Sequence, residues 1–328
     1  MPFNLIIEPN TPPLSRKEFC SIKKAPAIAL DGYVYGGPFV DEKGPHLNFN
    51  HHERVNRLAT RATCGQVLLA IRQGLFQFLT NTSKEPHAVS YGFCDPSADI
   101  YVDDCDEDIC TSWTLLNHRE ISEDSGDVKS YKRLSRLDRL VHVEDLMDST
   151  AGTYCFSPDA PIIRKLGWVF EPYRDFRFHG GLDGKRDANE FRNVIDEVEK
   201  RILRYANGHG RSITLDTRYE RIGGGANWIM VREIGMHART GMFADGIRAY
   251  VSVRERPDGR VSYVAARMSS FIHFPIPKFC KRFNAMEQCH QDRWGGSHIC
   301  IGSSRDKGSS IPPRVLEKEI KRMLEREI

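Results

Sequence analysis

Three short stretches of the chain concentrate carboxylates and imidazoles. One apolar run ends at Leu30-Asp31-Gly32, a second ends at Asn50-His51-His52-Glu53, and a third runs into Asp104-Cys105-Asp106-Glu107-Asp108. Alternate residues of an extended segment point to the same face. If residues 104–108 stay extended, the carboxylates of Asp104, Asp106 and Asp108 aim at one place. Anions packed so closely raise one another's pKa unless cations neutralise them. Carboxylate oxygens with imidazole nitrogens suit manganese, with magnesium or cobalt as alternatives, and a pair of divalent ions is expected. Each stretch alone has an ordinary reading: a solvated or calcium-binding loop, a surface histidine pair, an Asp-Gly turn. Their common position, each at the end of an apolar run, is what selects a metal centre. In open parallel sheets ligands bind beyond the carboxyl ends of the strands.

The elements that must position these groups alternate between strand and helix patterns, as in an α/β fold. Ala25–Leu30, His46–Asn50 and Asp99–Val102 read as strands. Cys64–Leu79 reads as one helix, with Val67, Leu68, Ile71, Leu75 and Phe78 at helical spacing. A helix follows the triple-Asp run through Trp113, Leu115 and Leu116, and another covers Leu134–Met147 and leads to Asp148. From Asp187 to Ala206 a helix starts with a capping-box-like Asp187/Glu190 pair and stops at Asn207-Gly208. Farther on, Pro257-Asp258-Gly259 between two apolar runs signals a hairpin. A Gly/Ser-rich loop region spans Trp294 to Ser310, and an amphipathic helix follows Pro312-Pro313. The expected fold is α/β, with a mainly parallel sheet flanked by helices and a second, smaller α+β domain. The expected organisation is a metal-binding catalytic domain over 1–185, a helical connector over 186–208 and a substrate-binding α+β domain over 209–328.

These motifs resemble the signature of the DHH phosphoesterase superfamily. It includes single-strand-specific exonucleases, oligoribonucleases, exopolyphosphatases and manganese-type inorganic pyrophosphatases. Its strand-end Asp, followed about twenty residues later by Asp-His-His, is similar to Asp31 and Asn50-His51-His52. Its Asp-x-Asp-x-Asp-Gly-x-x-Ser is similar to the segment from Asp104 to Ser112, and its Gly-Gly-His element is similar to Gly295-Gly296-Ser297-His298. The chain departs from the pattern in having Asn50 for Asp, in having Ile109 for Gly, and in placing the triple-Asp segment after the His-His segment. A circular permutation would account for that order, since sheet folds tolerate new termini at exposed loops. The resemblance implies that Asp31 bridges two divalent ions. His51 and Asp108, with Asp148 or Asp145, would complete one shell, while Asp106 and Asp104 would serve the other, Asp104 with a catalytic role. His52 would act on the substrate phosphate, and His298 and Arg305 would help to bind it. The implied activity is hydrolysis of a phosphoester or phosphoanhydride bond, as in a phosphodiesterase, by water activated between two Mn2+ ions (or Mg2+ or Co2+). The alternative is a catalytically altered relative that binds a nucleotide or phosphate ligand in a regulatory role.

Composition narrows the remaining choices. Hydrophobic residues make up 40% and charged residues 28% of the 328, which suits a globular chain and argues against disorder. No stretch approaches the ~18 continuous apolar residues of a membrane span. The start of the sequence lacks the basic and apolar regions of a secretion signal, so a cytoplasmic location with reduced thiols is expected. A net charge of +3 does not suggest a protein built around nucleic acid. The expected partner is a small phosphate-bearing substrate or a short single-stranded oligonucleotide, with oligomerisation left open. Cys280, Cys289, His290, His298 and Cys300 lie near one another in sequence, but their spacing matches no standard zinc knuckle, so buried thiols are the expected reading.

Overall fold

A computed structural model describes residues 3–41, 44–52, 54–81, 96–122, 127–152, 154, 156–287 and 293–325. The chain forms two compact units: Met1–Ser149 with Trp168–Tyr173 and Arg186–Arg211, and Thr150–Gly167 with Arg174–Lys185 and Ser212–Ile328. In chain order the elements up to the end of the third stretch of the first unit are β1 (Phe3–Ile7), α1 (Arg16–Ile22), β2 (Ala27–Leu30), β3 (Phe39–Asp41), β4 (His46–Phe49), α2 (Thr63–Arg72), α3 (Leu75–Asn81), β5 (Ala98–Val102), α4 (Glu107–Asn117), α5 (Arg119–Ser122), α6 (Val128–Ser149), α7 (Pro161–Val169), α8 (Glu171–Phe178) and α9 (Ala188–Ala206). The chain passes from one unit to the other within α7 and again within α8.

The sheet of the first unit has the order β1-β5-β2-β4-β3. All neighbours run parallel except β3, which pairs antiparallel with β4. The expected α/β class with a mainly parallel sheet is therefore present. Every residue of β2 and β4 is buried. Strands covered on both faces favour continuous apolar runs such as Ala27–Leu30, while in β4 the buried His46 and Asn48 are matched to the Lys23 and Gly37 carbonyls. Helix α1 begins with a capping box: the Ser15 hydroxyl accepts from the Glu18 N–H, and the Glu18 carboxylate accepts from the Ser15 N–H.

Two expectations about helices are corrected. The single helix over 64–79 is two, α2 and α3, separated at Gly74, whose φ of +98° ends the first. Apolar spacing continues across the break and hides it in the sequence. The helix over 187–206 starts with Asp187 accepting from the Asn189 N–H, not with the Asp187/Glu190 box. Nor is that helix a connector: α9 belongs to the first unit and packs on α4, α6 and β1. Its buried face of Phe191, Val194, Ile195, Val198 and Ile202 explains this, because a stripe so apolar must be covered by a core. The interleaved division given above differs from the boundaries 1–185, 186–208 and 209–328.

In the second unit follow β6 (Tyr219–Gly224), β7 (Ile229–Glu233), α10 (Ala238–Ala244), β8 (Ala249–Glu255), β9 (Val261–Arg267), α11 (Ile276–Glu287), β10 (Gly295–Gly296), β11 (Cys300–Gly302) and α12 (Pro313–Glu325). The sheet order is β10-β11-β9-β8-β7-β6, and only β7–β8 is parallel. The expected hairpin is β8–β9, turning at Gly259 with φ +78°. Phe279 and Phe283 of α11 and Leu316 and Ile320 of α12 share a core with Trp228, Met230 and Tyr263. Phe243 and Met242 of α10 pack with Val231 and Tyr250 in another cluster. Among the described residues no helix is long and apolar enough to cross a membrane.

One buried carboxylate fastens α9 to α4. Glu199 accepts hydrogen bonds from Trp113 Nε1 (3.1 Å), Asn117 Nδ2 (2.7 Å) and His118 Nε2 (2.6 Å). Burial raises the Glu199 pKa, but these three donors outweigh it and the net shift is downward. The Glu199 hydrogen bond raises the His118 pKa against the opposing effect of burial. A lowered acid stabilises above its ordinary pKa and fails as pH falls; a raised histidine stabilises below its ordinary pKa and fails as pH rises. The pair therefore contributes most between the ordinary values of 4.5 and 6.5. Glu199→Gln should lower stability by about 1–3 kcal/mol in that window, because donors are left unmatched. Chemical denaturation of the two proteins against pH measures this, and the difference between them should shrink outside the window on both sides.

Candidate metal centre

The neighbouring parallel strands β5, β2 and β4 deliver their carboxyl ends to one edge of the sheet. Leu30 pairs with Phe49 in register, so Asp31 and His51 leave the sheet close together. The Asp31 N–H still bonds the Phe49 carbonyl (2.9 Å). Asp31 then turns into the left-handed region with φ +46°, followed by Gly32 at +97°. That conformation is uncommon for a residue with a side chain, and Asp tolerates it better than most. Such backbone strain gathers at functional sites.

Three carboxylates converge on one imidazole nitrogen. His51 Nε2 lies 2.5 Å from Asp148 Oδ2, 3.5 Å from Asp31 Oδ1 and 3.7 Å from Asp108 Oδ2. The other histidine approaches the same acid, with His52 Nε2 2.9 Å from Asp31 Oδ1. The His51 side chain is wholly buried, and those of Asp31 and Asp108 nearly so. The start of α2 holds two of the carboxylates. Thr63 Oγ1 donates to Asp31 Oδ1 (2.9 Å), while the N–H groups of Thr63 and Cys64 donate to the two oxygens of Asp108 at 2.6 Å each.

The donor set fits a divalent cation. Asp31, His51 and His52 form one group with ligand atoms within 4.8 Å of one another, and His51, Asp108 and Asp148 form a second. His51 Nδ1 and Nε2 and Asp148 Oδ2 are buried without an aligned hydrogen bond, despite the short approach of the last two. Leaving buried polar atoms unsatisfied is costly. A cation among three carboxylates and an imidazole answers both that deficit and the crowding of negative charge.

The electrostatics carry the same message. Burial, with the charges of Asp31 and Asp148, pushes the Asp108 carboxyl up to about 7, although His51 and Cys64 work against it. Burial and the charges of Asp31, Asp104, Asp108 and Asp148 push Asp106 well above the carboxylate range. Burial also raises Asp31 and Asp148, but there the histidines prevail: His52, His51 and the Thr63 hydroxyl hold Asp31 down, and His51 with Arg57 holds Asp148 down. Burial disfavours a charged His52, yet Asp31 raises its pKa to about 9.

The expected residues distribute as follows. Asp31, His51, Asp108 and Asp148 come together. Of the two alternatives on α6, Asp148 reaches His51, whereas Asp145 accepts from the Ala62 N–H (2.6 Å) and faces Arg61. The triple-Asp run does not stay extended to its end, because α4 begins directly after Asp106. Asp104 sits in the strand-to-helix junction, with Oδ1 on the Cys105 N–H. Asp106 is the N-cap of α4, with Oδ1 on the Ile109 N–H, and Asp108 lies in the first helical turn. Asp104 and Asp106 belong to none of the three-residue ligand groups among the described residues. His298 and Arg305 lie in the second unit. The carbonyl of His298 accepts from Arg267, and that of Arg305 accepts from Arg256 and Gly184. Gly296 has a local role in the sheet: a Cβ there would stand 2.4 Å from the Cys300 carbonyl oxygen. Glu53, Cys289 and His290 lie outside the described residues, and Cys280 Sγ donates to the Trp294 carbonyl (3.3 Å).

Sequence reasoning missed Thr63 and Arg57. Thr63 sits just before Cys64, where the helix was expected to begin, but nothing local pairs it with Asp31. Arg57 donates through Nη1 to the Asp148 carbonyl (3.0 Å), and its Nη2 lies 3.4 Å from His52 Nδ1. No sequence signal marks it. The departure at Asn50 also has a cause. Its Nδ2 donates to the Val34 and Gly36 carbonyls (3.2 and 2.8 Å), and its Oδ1 accepts from the His52 N–H (3.0 Å). A carboxylate has no hydrogen for those two carbonyls. Comparison with protein-family profiles, with curated proteins and with solved structures returned no match. Fold and site together define an α/β protein with a buried carboxylate–imidazole centre able to hold a metal ion.

Because the folded chain binds a proton on Asp108 up to about pH 7 and the unfolded chain releases it near 3.8, the folded form holds more protons between those values. The contribution of Asp108 to stability must therefore fall as pH rises through that range. In chelator, Asp108→Asn should lose this downward slope and gain on the wild type towards pH 7. Denaturation curves at several pH values check it. An unchanged slope would mean that Asp108 does not share its site with other charges.

Proposed function

We propose that the chain is a divalent-metal-dependent phosphohydrolase, acting on a phosphoester or phosphoanhydride bond through activated water. The observation that carries this reading is the convergence of Asp31, Asp108 and Asp148 on His51 at the carboxyl edge of a parallel sheet. The resemblance to the DHH phosphoesterases, built on the same residues, supports it. Manganese is the metal proposed, with magnesium or cobalt as alternatives, since hard oxygen donors outnumber the imidazole. Two ions are proposed, the second drawing on Asp106 and Asp104 with Asp31 shared. When bound, such a pair supplies Lewis acidity that lowers the pKa of water and offsets charge on phosphoryl oxygens.

The residues of the chain have separable tasks. Asp31, held by Thr63 and by its left-handed backbone, presents Oδ1 to His51 and His52. His52, next to Asp31, is the group proposed to donate a hydrogen bond to a substrate phosphate oxygen. Arg57, with Nη1 on the Asp148 carbonyl and Nη2 3.4 Å from His52 Nδ1, adds positive charge on the same side. Asn50 holds the His52 backbone in place. Phosphoryl transfer is dominated by positioning and electrostatic stabilisation, which is what such an arrangement offers.

Manganese-dependent hydrolysis of a bis-aryl phosphodiester and of pyrophosphate tests the proposal. Asp31→Asn and Asp106→Asn are the informative variants, since Asn tolerates the left-handed turn at 31 and still caps α4 at 106. Each should lower turnover by ~10²-fold or more with the fold intact by circular dichroism. Full activity in both variants, or turnover indifferent to metal, overturns the assignment. Phosphate binding without any turnover would transfer it to the regulatory alternative.

A further inference from the structure

A group of cationic and hydroxyl side chains lies in the second unit and shares no residue with the carboxylate centre. On β8, Tyr250 and Ser252 point to one face of the sheet, and they pair in register with Ile229 and Val231 of β7. Glu233 is two residues beyond Val231 and continues that face. Helix α10 covers it, with the Phe243 ring 5.8 Å from the Tyr250 ring. Glu233 gathers guanidinium groups from two helices. Arg239 of α10 donates through Nε to Oε1 at 3.2 Å, and Nη2 of Arg177 on α8 stands 3.8 Å from Oε2. The Arg239 guanidinium also lies 5.8 Å from the centre of the Tyr250 ring. The side chains of Arg177, Glu233 and Arg239 are 20%, 15% and 23% exposed, so the group is recessed yet open to solvent at its rim.

Unmatched donors supply an independent pointer. Tyr250 is wholly buried and its Oη has no hydrogen-bond partner, and neither has the buried Nε of Arg177. Burial keeps the Tyr250 hydroxyl protonated, so both atoms carry hydrogens that want an acceptor. His237, just before α10, is buried with both ring nitrogens unmatched, and the charge of Arg177 acts on it as well as on Tyr250. Unsatisfied buried donors are costly, and two guanidinium charges share the one carboxylate of Glu233. Unmatched N–H and O–H groups with surplus positive charge call for an anion, the opposite of what the carboxylate centre lacks.

We propose that Arg177, Arg239 and Tyr250 form a binding site for a phosphate group, with Glu233 holding the two guanidinium groups in place. Arginine N–H groups pair with phosphate oxygens through strong charge-assisted hydrogen bonds, and Arg239 keeps further N–H groups after its bond to Glu233. The donors come from a strand and two helices, so they approach from different directions. The tetrahedral oxygens of phosphate meet such donors better than the coplanar oxygens of a carboxylate. The phosphate is either the free anion or the end of a larger phosphomonoester. Nothing in this site requires the hydrolytic reading.

The experiment titrates chelator-treated, full-length protein with inorganic phosphate and with adenosine monophosphate at constant ionic strength, reading calorimetric heat and the rise in thermal unfolding temperature. Without a cation the acidic centre repels both probes. Saturation at about one equivalent is expected. Inorganic phosphate binding as tightly as the nucleotide identifies the free anion as ligand, and tighter binding of the nucleotide identifies a phosphomonoester. Tyr250→Phe removes only an unmatched hydroxyl. It should weaken binding about tenfold while the ligand-free protein unfolds at the wild-type temperature or above. Arg177→Gln should weaken binding at least about tenfold. Asp31→Asn should bind both probes as the wild type does, which separates this site from the proposed hydrolytic one. No saturable binding of either probe at millimolar concentration, wild-type affinity in Tyr250→Phe or Arg177→Gln, or a preference for acetate over phosphate overturns the proposal.

Discussion

Negative charge gathered out of water is the constraint on which this molecule turns. Asp31, Asp108 and Asp148 meet at His51 Nε2, with Asp106 close enough for its carboxyl to be driven upward by their charges. In a low-dielectric setting such a group is tolerable only with compensating positive charge or with protons. The fold brings some of that compensation itself. Helices that follow parallel strands begin where the strands end, so the N-termini of α2 and α4 both face the cluster. Asp108 takes two N–H groups from α2, and Asp106 takes one from α4. The partial positive charge of helix N-termini favours anions there. What the helices leave uncompensated is the share open to a metal ion.

Around that centre lies a layer of residues whose work is orientation. Thr63 fixes Asp31, Asn50 fixes the His52 backbone, and Arg57 holds the Asp148 carbonyl. Glu199, farther away, gathers three donors from α4 and its C-cap and so holds the helix that begins with Asp106 and Asp108 against α9. The carboxylate centre thus depends on a helix nearly a hundred residues downstream. This is the physical reason why α9 is part of the first unit and not a tether leaving it.

Much of the centre was legible beforehand because its parts are punctuated locally. Apolar runs ending in Asp or His read as strands with ligands at their carboxyl ends, and the parallel sheet put those ends side by side. The helix break at Gly74 was not legible, since apolar spacing continues through it. The triple-Asp run also misled. Alternation suggested three carboxylates on one face of an extended segment, whereas Asp106 starts a helix and Asp108 is directed by helical phase. Both failures have one source: the pattern was read as a single element where the backbone changes conformation.

The amino-acid sequence by itself determined which donor types are present, that they stand at strand ends, and that the first sheet is mainly parallel. These follow from periodicity and composition, which act over a few residues. Tertiary structure alone chose Asp148 over Asp145, recruited Thr63 and Arg57, and gathered Arg177 and Arg239 on Glu233. Asp145 and Asp148 are three apart on one helix and share a face, so no local pattern separates them. Strand register and the rotation of a packed helix decide such choices, and both are set by contacts between residues far apart in the chain.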